Sequence, residues 1–120
     1  MSTFPYVSRM STDISALRGE YRRLRSQLAR IGWISHGYVQ DRGPGAGGPC
    51  FQWTRKEGKK TVSVALSEKQ YRWMKEAIHN WRKVQRTLKR MEQIARQIMF
   101  CTIPEPPRRK LLSKRVLGIN

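Results

Sequence analysis

The strongest constraint on how this chain folds is an apolar seam in its second half. Met74, Ala77, Trp81, Val84, Leu88, Met91, Ala95 and Ile98 recur at alternating steps of three and four residues, the spacing of one continuously packed helical face. Pro104 ends that register, because proline removes a backbone donor and clashes with the preceding turn. The start is equally marked. Ser67 is placed to cap, Gln70 answers it three residues later, and Leu66 and Tyr71 flank the pair as a hydrophobic staple. The pattern predicts a helix over 68–99.

A shorter seam, Ile14, Leu17, Tyr21, Leu24, Leu28 and Ile31, predicts a first helix over 12–31, with Gly32 ending it through a left-handed cap. Between the helices the period changes. Residues 33–42 are rich in aromatic and β-branched side chains, as are 50–56 and 61–66, which predicts three strands. Gly43, Pro44, Gly45, Gly47, Gly48 and Pro49 read as a flexible loop, and Glu57-Gly58 as a tight turn that makes the last two strands antiparallel neighbours. Val62, Val64 and Leu66 alternate with Thr61, Ser63 and Ala65, so one face of the sheet is apolar.

The expected fold is therefore α+β: two antiparallel coiled-coil-like helices, the second long, joined by a small antiparallel β-sheet. Residues 1–11 form an N-terminal arm, 12–100 the helix–hairpin–helix domain, and 101–120 a Pro-containing basic tail able to form a short helix on contact. At about 1.5 Å per residue the helices are roughly 30 and 48 Å long. If they run antiparallel, the first covers only the opening part of the second. Leu88, Met91, Ala95 and Ile98 are then left for a second copy, a partner protein, or the chain's own tail, through Leu111, Leu112, Val116 and Leu117.

Composition matters most for function. With 25 Lys+Arg against 8 Asp+Glu the net charge is +17, a balance that attracts polyanions. No stretch approaches the roughly 18–20 apolar residues needed to cross a bilayer, and residues 1–10 lack the basic start and apolar run of a leader. No membrane partner and a cytoplasmic location are expected. Cys50 and Cys101 are too few for a disulfide framework and have no metal-ligand neighbours.

The eight acids are scattered singly, and His36 and His79 have no His, Cys or acid at ligand spacing. The Gly/Pro run lacks the Lys-Ser/Thr ending of a phosphate-binding P-loop. The expectation is no enzyme, no catalytic residue, no metal, no cofactor and no small-molecule substrate.

The cations sort by element. Arg18, Arg22 and Arg25 lie on the first helix. On the second, Arg72, Lys75, Arg82, Lys83, Arg86, Lys89 and Arg90 surround the seam with Lys69 and Arg96, offset only by Glu68, Glu76 and Glu92. Solvated helix surfaces normally intersperse both signs, so this bias points to phosphate contacts. Arg55, Lys56, Lys59 and Lys60 flank the Glu57-Gly58 turn as a cationic finger, and Arg108, Arg109 and Lys110 add a cluster in the tail. Tyr38, Phe51, Trp53 and Trp33 are able to stack on unpaired bases, with Trp53 and Tyr38 the chosen candidates, whereas Trp81 sits on the seam and reads as core. Arg outnumbers Lys 16 to 9, and guanidinium planes both fork onto phosphates and stack on bases, which favours RNA over DNA.

Gly48-Pro49, Trp53-Thr54-Arg55-Lys56 and Gly58-Lys59-Lys60-Thr61, between a heptad helix and the Leu66-Ser67 opening of a second coiled-coil helix, resemble a family of small uncharacterised bacterial proteins. The resemblance spans roughly residues 14–95 and implies the helix–hairpin–helix order. Many members carry a cysteine cluster before the Gly-Pro step. Here residues 41–48 hold no cysteine, so no metal function carries over, and the family supplies no activity to borrow.

The leading expectation is a non-enzymatic, RNA-favouring accessory subunit of a bacterial nucleoprotein complex, encoded by a mobile element. The alternatives are a duplex-DNA-binding dimer, acting as regulator or transposition helper of such an element, and a coiled-coil protein–protein scaffold whose charge confers only solubility.

Overall fold

The structure, a computed structural model, describes residues 13–45 and 48–119, so the N-terminal arm lies outside the described residues. The elements are α1 (Ile14–Ala29), β1 (Tyr38–Gly45), β2 (Gly48–Glu57), β3 (Lys60–Leu66), α2 (Glu68–Thr102) and α3 (Lys114–Leu117). The class is α+β: a helix, an antiparallel sheet in the order β1-β2-β3, and a long second helix. The chain forms two compact units, residues 31–85 and residues 13–30 with 86–119, and α2 contributes to both.

In the 31–85 unit, the start of α2 is the reciprocal cap that its sequence specifies. Ser67 Oγ accepts from the Gln70 amide at 3.1 Å, and Gln70 Oε1 accepts from the Ser67 amide at 2.9 Å. The β2–β3 hairpin turns at Gly58 (φ 62°), with Glu57 opposite Lys60. Its register puts Phe51, Trp53 and Arg55 on one face with Leu66, Val64 and Val62. Phe51 leaves that face to meet Tyr71 of α2, ring centres 4.8 Å apart. On the opposite face Thr54 Oγ1 and Ser63 Oγ share a hydrogen bond of 3.0 Å.

Two expectations for this unit are corrected. The Gly/Pro run is not a loop throughout: Gly43, Pro44 and Gly45 belong to β1 and Gly48 and Pro49 to β2, with Gly45 opposite Gly48. A bulge between Asp41 and Pro44 makes room for this, fixed by the Gly43 amide donating to Asp41 Oδ1 at 2.9 Å with Gly43 at φ 76°. Ala46 and Gly47 lie outside the described residues.

The first strand also starts later than expected, at Tyr38. Residues 33–37 run along α2 instead, where the Ser35 amide donates to the Ala77 carbonyl at 3.2 Å and Asn80 Nδ2 to the Trp33 carbonyl at 2.9 Å. Gly37 then passes so close to β2 that a Cβ there would sit 2.4 Å from the Thr54 carbonyl oxygen. Gly32 likewise serves close approach to Asn80, not helix termination; α1 ends at Ala29 and is capped by Arg30, whose amide donates to the Gln27 carbonyl at 3.1 Å.

In the other unit, α1 lies with the 86–102 part of α2. Arg90 forks onto Glu20, Nε to Oε2 and Nη2 to Oε1, both at 2.9 Å. The buried side chains of this unit are Leu17, Thr87, Ile94 and Ile119. This overturns the expectation that α1 covers only the opening of α2, a part that instead carries residues 33–37 and the sheet. It also rotates the seam. Thr87, Arg90 and Ile94 form one helical line, and the Glu20–Arg90 pair fixes α1 on that side. Leu88 and Ala95, one flank over, are exposed, while Met91 and Ile98 between them are half-buried.

The tail folds onto α2 through Arg96, whose Nη1 donates to the Gly118 carbonyl at 3.1 Å. Ser113 caps α3 and Gly118 closes it in the left-handed region (φ 71°). The tail side chain buried here is Ile119, whereas Leu111 and Val116 are exposed.

The Glu20–Arg90 pair has a pH signature. Its hydrogen bonds from Arg90 outweigh the cost of burial and hold the Glu20 carboxyl below its ordinary range. A depressed carboxyl stabilises the fold above its unfolded-state pKa, and that contribution is lost as the pH falls through the folded value. Glu20→Gln is therefore expected to cost about 1 kcal/mol at pH 7. The difference from wild type should shrink as the pH falls through the folded value of this carboxyl, as read by urea unfolding at about pH 7 and at successively more acidic pH.

Candidate nucleic-acid interface

On α1, Arg18, Arg22 and Arg25 step by four and three residues and so share one helical line, and all are exposed. Together with Tyr21 and with Ala95 and Ile98 of α2 they line an open groove of about 390 Å³. Its lining combines three cations with Tyr21, Ala95 and Ile98, and among the described residues no carboxylate lines it. A second groove of about 470 Å³ on the same helix is lined by Arg22, Arg23 and Arg30 with Gly19, Ser26 and Gln27. Among the described residues none of these arginines is in an ion pair. Arg23 and Arg30 are not among the cations that the sequence singles out; their spacing of seven, which puts them on a common face, was the available signal.

Acids quench some of the other expected phosphate contacts. Arg90 is committed to Glu20 and braces α1 against α2. Arg72 pairs with Glu68 at 2.8 Å, Arg96 with Glu92 at 3.4 Å, and Arg108 with Glu105 at 3.2 Å. Arg55 pairs with Glu57 at 3.0 Å and lies 4.5 Å over the Trp53 ring. Lys75 sits 5.7 Å from the Tyr71 ring centre. Arg82, Lys83, Arg86, Lys89, Arg109 and Lys110 are exposed and in no ion pair among the described residues. The finger keeps Lys56, Lys59 and Lys60, all exposed at the β2–β3 turn.

The aromatic candidates also separate. Trp53 is half-buried, donates its Nε1–H to the His36 carbonyl at 2.8 Å, and has one ring face under Arg55, which leaves it little room to stack on a base. Tyr38 is half exposed at the start of β1. Sequence reasoning passed over Trp73, which is half exposed and has its ring centre 6.3 Å from that of Trp33. The signal was its place beside Met74, off the apolar seam.

Among the described residues no group of three or more His, Cys, Asp or Glu side chains is placed to hold a metal ion, and no helix is long and apolar enough to cross a membrane. Comparison with protein-family models, with curated proteins and with solved structures finds no match to this chain.

Proposed function

We propose that this chain is a non-enzymatic nucleic-acid-binding protein, favouring RNA over DNA, that acts in the cytoplasm as an accessory subunit of a bacterial nucleoprotein complex. The observation that carries this reading is the groove of Arg18, Arg22 and Arg25. The three arginines line one open groove, and among the described residues none of them is in an ion pair. Holding them together costs repulsion that a phosphate backbone relieves, with release of condensed counterions. In the 31–85 unit the exposed lysines of the finger, Lys56, Lys59 and Lys60, offer a further set of phosphate contacts.

Fluorescence anisotropy on matched single- and double-stranded RNA and DNA tests the reading. RNA should bind more tightly than DNA of the same sequence, with affinity falling steeply in salt; equal weak binding to every polyanion would remove the preference. The finger provides a local check. Changing Lys56, Lys59 and Lys60 together to Ala should lower the slope of log K against log salt by about 2, at about 0.7–0.9 per lost phosphate contact. The melting temperature should stay unchanged, since exposed turn residues contribute little to the core. An unchanged slope would take the finger out of the binding surface.

A further inference from the structure

Trp33 and Trp73 stand apart from both the core and the cationic surface. Trp33 is 74% exposed and Trp73 50%, yet their rings are in contact, centres 6.3 Å apart with planes tilted by 33°. Single exposed apolar residues are ordinary, but two large indoles held together in water are not. Trp33 owes its position to the backbone around it more than to burial of its ring. Asn80 Nδ2 holds its carbonyl and the Ala77 carbonyl holds the Ser35 amide, while Gly32 passes within 3.3 Å of Asn80, measured from where its Cβ would stand. The aromatic pair is thus set before any ligand arrives, which lowers the entropy lost on binding.

The cleft beside the pair is about 100 Å³ and is lined by Trp33, Trp73, Glu76, Ala77, Asn80 and Gly32. Glu76 follows Trp73 by one helical turn and lines the same cleft as the two indoles. Among the described residues it has no ion-pair partner, although five other glutamates are paired with arginines. The site therefore offers two exposed indole rings beside an acceptor-only group in one cleft.

A phosphate is repelled by that carboxylate, and a free cation is disfavoured by a net charge of +17. A nucleobase meets neither obstacle. It stacks through its face and reaches the carboxylate through N–H donors at its edge. Guanine alone among the four RNA bases presents two adjacent N–H donors there, N1–H and the N2 amino group, matching both carboxylate oxygens; adenine and cytosine present an amino group beside an acceptor, and uracil a single N–H between acceptors. We propose that Trp33, Trp73 and Glu76 form a subsite for one unpaired guanine base of a single-stranded nucleic acid. This rests on the nucleic-acid-binding reading above and adds a base preference to it.

The test uses the full chain and four fluorescent RNA pentamers, uridine at the outer positions and guanine, adenine, cytosine or uracil at the centre. The guanine pentamer should bind about tenfold more tightly than the other three, the effect of a good edge contact to one base. Glu76→Gln should bring it to their level and leave them unchanged. Trp33→Ala should weaken all four about tenfold through lost stacking, with the salt slope unaltered because no cation is removed. Trp33 is mostly exposed, so this variant should melt with the wild type, and Trp73→Phe, which keeps a ring, should retain most of the binding.

Equal binding of the four pentamers by wild type, or no effect of Trp33→Ala, would overturn the subsite while salt-dependent binding left the broader reading standing. Self-association lost on Trp33→Ala, with pentamer binding intact, would assign the surface to a second copy and overturn the subsite equally. Absence of binding to any pentamer and to longer RNA and DNA would remove both readings.

Discussion

Replacing Arg18, Arg22 and Arg25 together with Glu is expected to abolish RNA binding near physiological salt and leave the fold intact. The three lie on one line of α1, are exposed, and line a groove to which no carboxylate among the described residues contributes. Reversal removes up to three phosphate contacts and adds repulsion at the same places, so affinity should fall by more than about a hundredfold. The triple Ala variant isolates the first part: its slope of log K against log salt should drop by about 2. Glu is as good a helix former as Arg, and relief of a net charge of +17 should hold or raise the melting temperature. Loss of binding without loss of stability separates a binding role from a structural one. Retained affinity would move the binding surface off α1.

The largest stability effect is expected at Ile94. It is 0% exposed, the largest fully buried side chain described, and truncation to Ala should cost about 2–5 kcal/mol through lost transfer energy and the cavity left behind. Leu88 is 41% exposed, and the same truncation there should cost less than about 1 kcal/mol. Urea unfolding of the two variants measures the contrast directly. The reverse order would restore the seam through Leu88 that spacing alone predicts.

That contrast shows where spacing stops being informative. The heptad line of α2 is legible, but Thr87 or Leu88 can continue it beyond Val84, and apolar character favours Leu88. The choice is made by Glu20, 70 residues away from Arg90, a pairing with no local trace. The start of α2 was legible to the residue because the Ser67 and Gln70 side chains each bond to the other's backbone amide. The β2–β3 turn was legible because Gly58 must adopt a positive φ.

The Gly/Pro run misled because prolines are rare inside sheets. Here Pro44 sits on the edge strand β1 and Pro49 next to the start of β2, positions that tolerate a missing donor. Residues 33–37 misled because an aromatic, β-branched segment packs along a helix as readily as in a ladder.

The candidate site divides in the same way. Its charge is plain in the composition, and the local pairs Arg72–Glu68 and Arg96–Glu92, four residues apart on α2, were available to inspection. That Arg90 is a brace, and that Trp73 joins Trp33, depends on which parts of the chain the fold brings together.

Purification from cells without nuclease treatment, followed by elution in increasing salt and sequencing of what is released, tests the central claim most directly. The account predicts that RNA co-elutes with the protein at low salt, leaves it as salt rises, and outweighs DNA in the released pool. Protein that leaves the first low-salt column free of nucleic acid, and that afterwards binds neither RNA nor DNA in titration, would contradict it.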